Sequence, residues 1–136
     1  MAFQLLFAQN NSQLKDTTIE VKPFASGRAC NDTICSITYC KKGTASYYGR
    51  QFQGRRTSSG ELFDMNKYTA AHKTLPFGTI VVVTNLSNNK AVVVKINDRM
   101  PQWNKREIDL SYAAARTLDY VSSGLTPVLV EIYDPR

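Results

Sequence analysis

Two runs rich in β-branched residues lie close together in this chain, GTIVVVTNL (78–86) and KAVVVKIND (90–98). The link between them, Ser87, Asn88 and Asn89, has turn chemistry, because Asn tolerates a positive φ. The pair reads as a β-hairpin. Each run has three consecutive valines at its centre, so apolar side chains point to both faces of the strand. A strand covered on both faces belongs to a barrel or a sandwich, which makes this hairpin the strongest constraint on the fold.

The rest of the second part agrees with a mainly β fold. TASYY (44–48) is β-prone, and GRQFQGRRTSSG (49–60) reads as a glycine-rich polar loop. DLSYAAARTLDYV (109–121) changes to helical character, with Ser111 able to cap and Gly124 ending the segment. TPVLVEIYD (126–134) is a last strand, with Pro127 at its start where a missing N–H does little harm. Residues 1–42 differ. They are rich in Asn, Ser, Thr and Lys, and only TTIEVK (17–22) alternates, weakly. They read as an N-terminal extension or tether, and residues 43–136 as the domain. The apolar start, MAFQLLFAQNN, fits the tail of a signal peptide, a short strand or a disordered end. It is far too short to span a bilayer.

A chain of 136 residues suits one domain. The net charge of +6 favours an anionic partner, such as nucleic acid, phospholipid or an acidic wall polymer. The basic residues form only short pairs, Lys41-Lys42 and Arg55-Arg56, with no basic helix and no aromatic RNA-binding motif, so nucleic acid is not expected. Cys30, Cys35 and Cys40 are odd in number and form no CxxC pair. One disulfide fits an oxidising compartment, its pairing open. A zinc site is not expected, and neither is any other metal or cofactor. Nothing resembles a nucleophile elbow, a phosphate loop or a dinucleotide fingerprint.

The acidic residues are unevenly placed. Glu61 and Asp64 bracket ELFD, ahead of the one histidine, His72. Asp98 ends the second hairpin strand, before Arg99 and a proline-containing loop. A carboxylate there is held on a rigid element, as a functional group would be. It also suits a turn cap paired with Arg99. Asp109 precedes the helix. Such a constellation suggests acid–base work on a neutral or acidic polymer.

The motifs ASYYG, TSSGELFD, TAAHKTLPFGT, VTNL, NDRMP and IDLSYAAA occur between residues 43 and 133. In that order and spacing they resemble the rare lipoprotein A family of bacteria. The resemblance implies a six-stranded double-psi β-barrel with one or two short helices. It implies a lytic transglycosylase of the cell envelope, periplasmic or secreted, which cuts the β-1,4 bond between N-acetylmuramic acid and N-acetylglucosamine and leaves a 1,6-anhydro sugar. The partner implied is the peptidoglycan glycan strand. The alternative is an expansin-like barrel that grips glycan without cutting it.

Carried over by motif, the essential aspartate falls on Asp98 and its companions on Glu61, Asp64 and His72. Asp98 is then the general acid and base, its pKa raised by burial and by Glu61 or Asp64 nearby. His72 orients Asp98 or a sugar hydroxyl. Tyr47, Tyr48, Arg99 and Trp103 are candidates for sugar binding, the two tyrosines fitting strand packing equally well. Three positions depart from the family. Met100 stands where the family has glycine, Lys73 where Arg is frequent, and Asn89 where glycine is common. Of these, Met100 bears on activity, because glycine permits close backbone approach.

Overall fold

A computed structural model describes residues 35–135. Six strands form a closed barrel: β1 (Cys35–Tyr47), β2 (Thr69–His72), β3 (Ile80–Asn85), β4 (Ala91–Arg99), β5 (Ile108–Leu110) and β6 (Thr126–Pro135). Around the barrel they run β1-β5-β2-β4-β3-β6. The β1–β5 and β2–β4 pairs are parallel and the others antiparallel. Closure leaves no unpaired sheet edge.

The valine hairpin forms as expected. Val81 pairs with Val94 and Val83 with Val92, and all four are buried. Asn89 takes the turn with φ 64°. Asn85 ties the hairpin to the rest of the barrel. Its amide donates to the Leu118 carbonyl at 2.8 Å, and its side-chain oxygen accepts from Thr126 at 2.7 Å. Inside, Ile96, Ile108, Leu110 and Leu118 are fully buried among the valines.

Two features differ from expectation. The helix α1 spans Tyr112–Thr117, shorter than the segment 109–121. Ser111 does cap it, accepting from the Ala114 amide at 3.3 Å. The residues ahead of the cap form β5, because Ile108 and Leu110 are needed as core side chains between β1 and β2. Strand β1 begins at Cys35, ahead of Gly43 where the β signals sharpen, since β6 continues to pair with it as far as Pro135. Cys30 and TTIEVK (17–22) lie outside the described residues.

Gly43 sits where β1 passes Glu107. A Cβ at this position would stand 2.5 Å from the Glu107 Cβ. Gly43 lies within β1, and the Glu107 amide is tied to the Thr44 carbonyl at 2.8 Å, so Gly43→Ala is expected to cost about 1–3 kcal/mol, measured by urea unfolding.

Candidate functional site

The register of β2 against β4 slips by one residue. Ala70 pairs with Ile96 but Ala71 pairs with Asp98, so Asn97 is the extra residue of a bulge. Regular alternation would turn Asp98 to the same side as core Ile96; the bulge puts it in line with Ala71 instead. Ala71 in turn pairs with Asp109, and Asp109 with Ser46. Asp98, Ala71, Asp109 and Ser46 thus form one row across four strands. Asp98 and Asp109 are two strand spacings apart, about 9–10 Å between Cα atoms. The small Ala71 side chain floors the space between them. This row lines an open groove of about 440 Å³, walled by Tyr48, Phe52, Met100 and Arg106 among others.

Asp98 is held tightly. Its Oδ2 accepts from the Tyr48 hydroxyl at 2.6 Å, and its Oδ1 accepts from the Ser58 and Arg99 amides at 2.9 and 2.8 Å. Burial pushes its pKa up, but these hydrogen bonds outweigh burial and hold it below the ordinary aspartate value. Tyr48 is fixed from behind by stacking on Phe63, ring centres 4.5 Å apart. Burial and then the Asp98 carboxylate push the Tyr48 phenol well above its ordinary range, so it stays a donor. Across the floor, Asp109 accepts from the Ser46 hydroxyl and, at 3.2 Å, from Arg106 Nε.

Glu61 and Asp64 do not join Asp98. They line a separate, smaller hollow beside Lys67 and Lys95. Glu61 accepts from Asn97 and Lys95, both at 2.9 Å, and these bonds lower its pKa. Asn97 and Asp98 are neighbours on β4, but their side chains leave the strand in different directions, which separates the two hollows. The like-charge pressure expected to raise the pKa of Asp98 is therefore absent from its bonding partners. Asp64 caps a local turn through the Asn66 amide at 3.0 Å.

His72 lies elsewhere too. It neighbours Ala71 on β2 and so projects to the opposite side of the strand from the groove floor. It is 2% exposed. Its Nε2 meets Glu107 Oε2 at 3.0 Å and the Tyr39 hydroxyl at 3.2 Å. Its Nδ1 accepts from the Thr74 and Leu75 amides, both at 3.1 Å. Glu107 also accepts from Tyr39 at 2.6 Å and pairs with Lys41 at 3.3 Å.

Of the remaining candidates, Tyr47 lines the groove but gives its hydroxyl to the Val121 carbonyl and packs edge-on against Tyr112 and Tyr120. Arg99 reaches the His72 and Leu75 carbonyls at 3.0 and 2.8 Å and lies over the Phe77 ring. Only its backbone amide meets Asp98. Trp103 is 82% exposed, in the loop that follows Pro101 on the groove wall. Met100 is 3% exposed and has no positive φ, so its backbone makes no demand for glycine. Sequence reasoning passed over Asp109 as a groove residue and Glu107 altogether. IDL (108–110) alternates apolar, acidic, apolar, which is the strand signal that would have turned Asp109 outward.

The folded state holds His72 neutral. Burial lowers its pKa below 6.5 despite the nearby Glu107. The unfolded chain then binds a proton that the fold refuses, so stability present above pH 6.5 is lost as pH falls below it. Glu107 and Asp98 add a second loss below about pH 4, since their pKa values are lowered in the fold, burial notwithstanding. Urea midpoints measured against pH are expected to show these two descending limbs, and His72→Asn to flatten the upper one.

A family model described as "Lytic transglycolase" matches residues 40–130. The chain is 57% identical over 94 residues to the "Probable endolytic peptidoglycan transglycosylase RlpA" of Treponema pallidum. That match covers 69% of this chain and 30% of the relative. It is 46% identical over 113 residues to the "Endolytic peptidoglycan transglycosylase RlpA" of Campylobacter jejuni, covering 82% of this chain and 41% of that one. The chain thus spans well under half the length of these relatives. Among solved structures, the Streptomyces papain inhibitor superposes with a TM-score of 0.57 at 22% identity, over 72% of this chain and 96% of the inhibitor. The apo expansin of Clavibacter michiganensis superposes with a TM-score of 0.58 at 21% identity, over 72% of this chain and 52% of the expansin. The shared architecture is the double-psi β-barrel. No helix among the described residues is long and apolar enough to cross a membrane.

Proposed function

The chain belongs to the lytic transglycolase family, as a rare lipoprotein A-like double-psi β-barrel, and from that premise we propose that it cuts the glycan strands of peptidoglycan in the bacterial envelope. The bond cut is the β-1,4 link from N-acetylmuramic acid to N-acetylglucosamine, and the product ends in a 1,6-anhydro sugar. The observation that carries this reading is Asp98, set by a strand bulge on the floor row of an open groove and fixed by three hydrogen bonds.

The reaction moves two protons and consumes no water. The departing 4-oxygen gains one, and the attacking 6-hydroxyl of the muramyl residue loses one. A single carboxyl does both in turn, as acid and then as base, and Asp98 takes that role. Its hydrogen bonds keep it ionised in the open groove. A bound strand expels water from the groove and raises its pKa toward what the acid step needs. Tyr48 holds the carboxyl in place, and Asp109 gives the opposite wall a second carboxylate to accept sugar hydroxyls. Trp103, exposed beyond Pro101, offers a stacking face at the rim.

Incubation with purified peptidoglycan, intact and stripped of stem peptides, followed by mass spectrometry of the soluble products, tests the reading. Anhydro-muramyl ends are the expected result. A second reading, a barrel that grips glycan without cutting, is favoured by the same hydrogen bonds that keep Asp98 ionised and by the Met100 wall. Sedimentation with the wall but no anhydro product selects it.

A further inference from the structure

We propose that His72 is a positioning residue, whose Nδ1 lone pair gathers the Thr74 and Leu75 amides into the turn that clamps Arg99 next to Asp98. An imidazole nitrogen that accepts two N–H groups cannot carry a proton itself. The ring proton is therefore on Nε2, and Glu107 is there to receive it. This is the arrangement an Asn or Asp side chain makes when it accepts from amides two and three residues ahead. His72 does the same with a ring, and the ring's far side reaches a buried acid.

The consequence passes to the groove through the backbone. The carbonyls of His72 and Leu75 both accept from Arg99 Nη1, and the His72 carbonyl also accepts the Met100 amide at 3.3 Å. Arg99 and Met100 follow Asp98 directly, and the Arg99 amide is one of the three donors to the Asp98 carboxylate. The end of β4 is thus pinned on one side by the turn that His72 shapes and on the other by Tyr48 and Ser58. The titratable and charged groups around the ring are Tyr39 from β1, Glu107 from the segment before β5, Lys41 beyond Glu107, and Arg99 from β4. Two of these are cations, and they disfavour a charged ring, as burial does. None of this places the imidazole against a sugar.

The activity part of the test rests on the proposed cutting of glycan; the rest does not. Two variants separate the two nitrogens. Asn at this position keeps an acceptor where Nδ1 stands and loses the bond to Glu107. Gln reaches toward Glu107 and loses the acceptor. His72→Asn is expected to keep glycan cutting within about tenfold of the parent, and His72→Gln to lose about a hundredfold, the scale of a small misplacement of the reacting group. Nitrogen NMR of the parent protein should show Nε2 protonated and Nδ1 bare throughout pH 6–8. Amide exchange at Thr74 and Leu75 should be slow in the parent and in His72→Asn, and fast in His72→Gln. Equal loss of cutting in both variants with the turn amides still protected in His72→Asn, or a proton on Nδ1 of the parent at neutral pH, would overturn the proposal. The NMR and exchange results stand even if no glycan is cut, so failure of the enzymatic reading is distinguishable from failure of this one.

Discussion

Asp98→Asn is expected to lower the rate of anhydro-product formation about a thousandfold, within the range that a positioned acid–base group supplies. The substitution is nearly isosteric. The side-chain oxygen still accepts from the Ser58 and Arg99 amides, and the new amide can donate to the Tyr48 oxygen, so the barrel should persist, as circular dichroism would show. The parent should also carry a pH signature. Because Asp98 is held below 3.8 in the open groove, the protonated form that starts the reaction becomes scarcer as pH rises. In the free enzyme kcat/KM should fall steadily from pH 4 to pH 8. A flat profile, or a variant retaining a tenth of the parent rate, removes Asp98 from the acid role.

The second large effect concerns stability. Glu107→Ala strips the acceptor from two donors at once, the buried His72 Nε2–H and the Tyr39 hydroxyl. His72 cannot relieve this by moving its proton, because Nδ1 is already occupied by the turn amides. A buried donor without a partner costs about 1–3 kcal/mol, and loss of a charge-assisted bond adds to it, so a destabilisation of about 3 kcal/mol is expected at pH 7. Glu107→Gln keeps an acceptor and should cost about a third of that. The sign with pH follows from the lowered pKa of Glu107. Its contribution is full above about pH 4.5 and shrinks as pH falls through the lowered pKa of the folded state, so the gap between parent and Ala variant should be narrower at acid pH than at pH 7. Urea unfolding at pH 7 and pH 3.5 measures both.

The parts of the fold legible in the sequence are those where a pattern repeats within one element. Three valines in each hairpin strand, Asn in the turn and Ser111 ahead of an alanine run each state a local preference that the barrel keeps. TAAH and IDL were harder to read, being four and three residues long, too short for a period to emerge. Motif resemblance brought Asp98, Glu61, Asp64 and His72 together as one candidate set. The structure distributes them among three environments. Strand alternation sends His72 away from the groove, and the bulge at Asn97 sends Asp98 into it. A bulge is a fact of pairing between two strands, and nothing within NDRMP alone announces it. Glu107 was invisible for a related reason. Its partner lies 35 residues away, and only the antiparallel meeting of β2 with β5 brings them together.

Strand β6 closes the barrel between β1 and β3. It is also the last of the six barrel strands in the chain, and so the last of them to leave the ribosome. Until residues 126–135 have been made, β1 and β3 each lack one of their two neighbours. Synthesis at about 5–20 residues per second gives the growing chain several seconds in that open state. The barrel cannot complete itself before β6 emerges. Closure by strands distant in sequence makes the barrel slow to complete even once β6 is available.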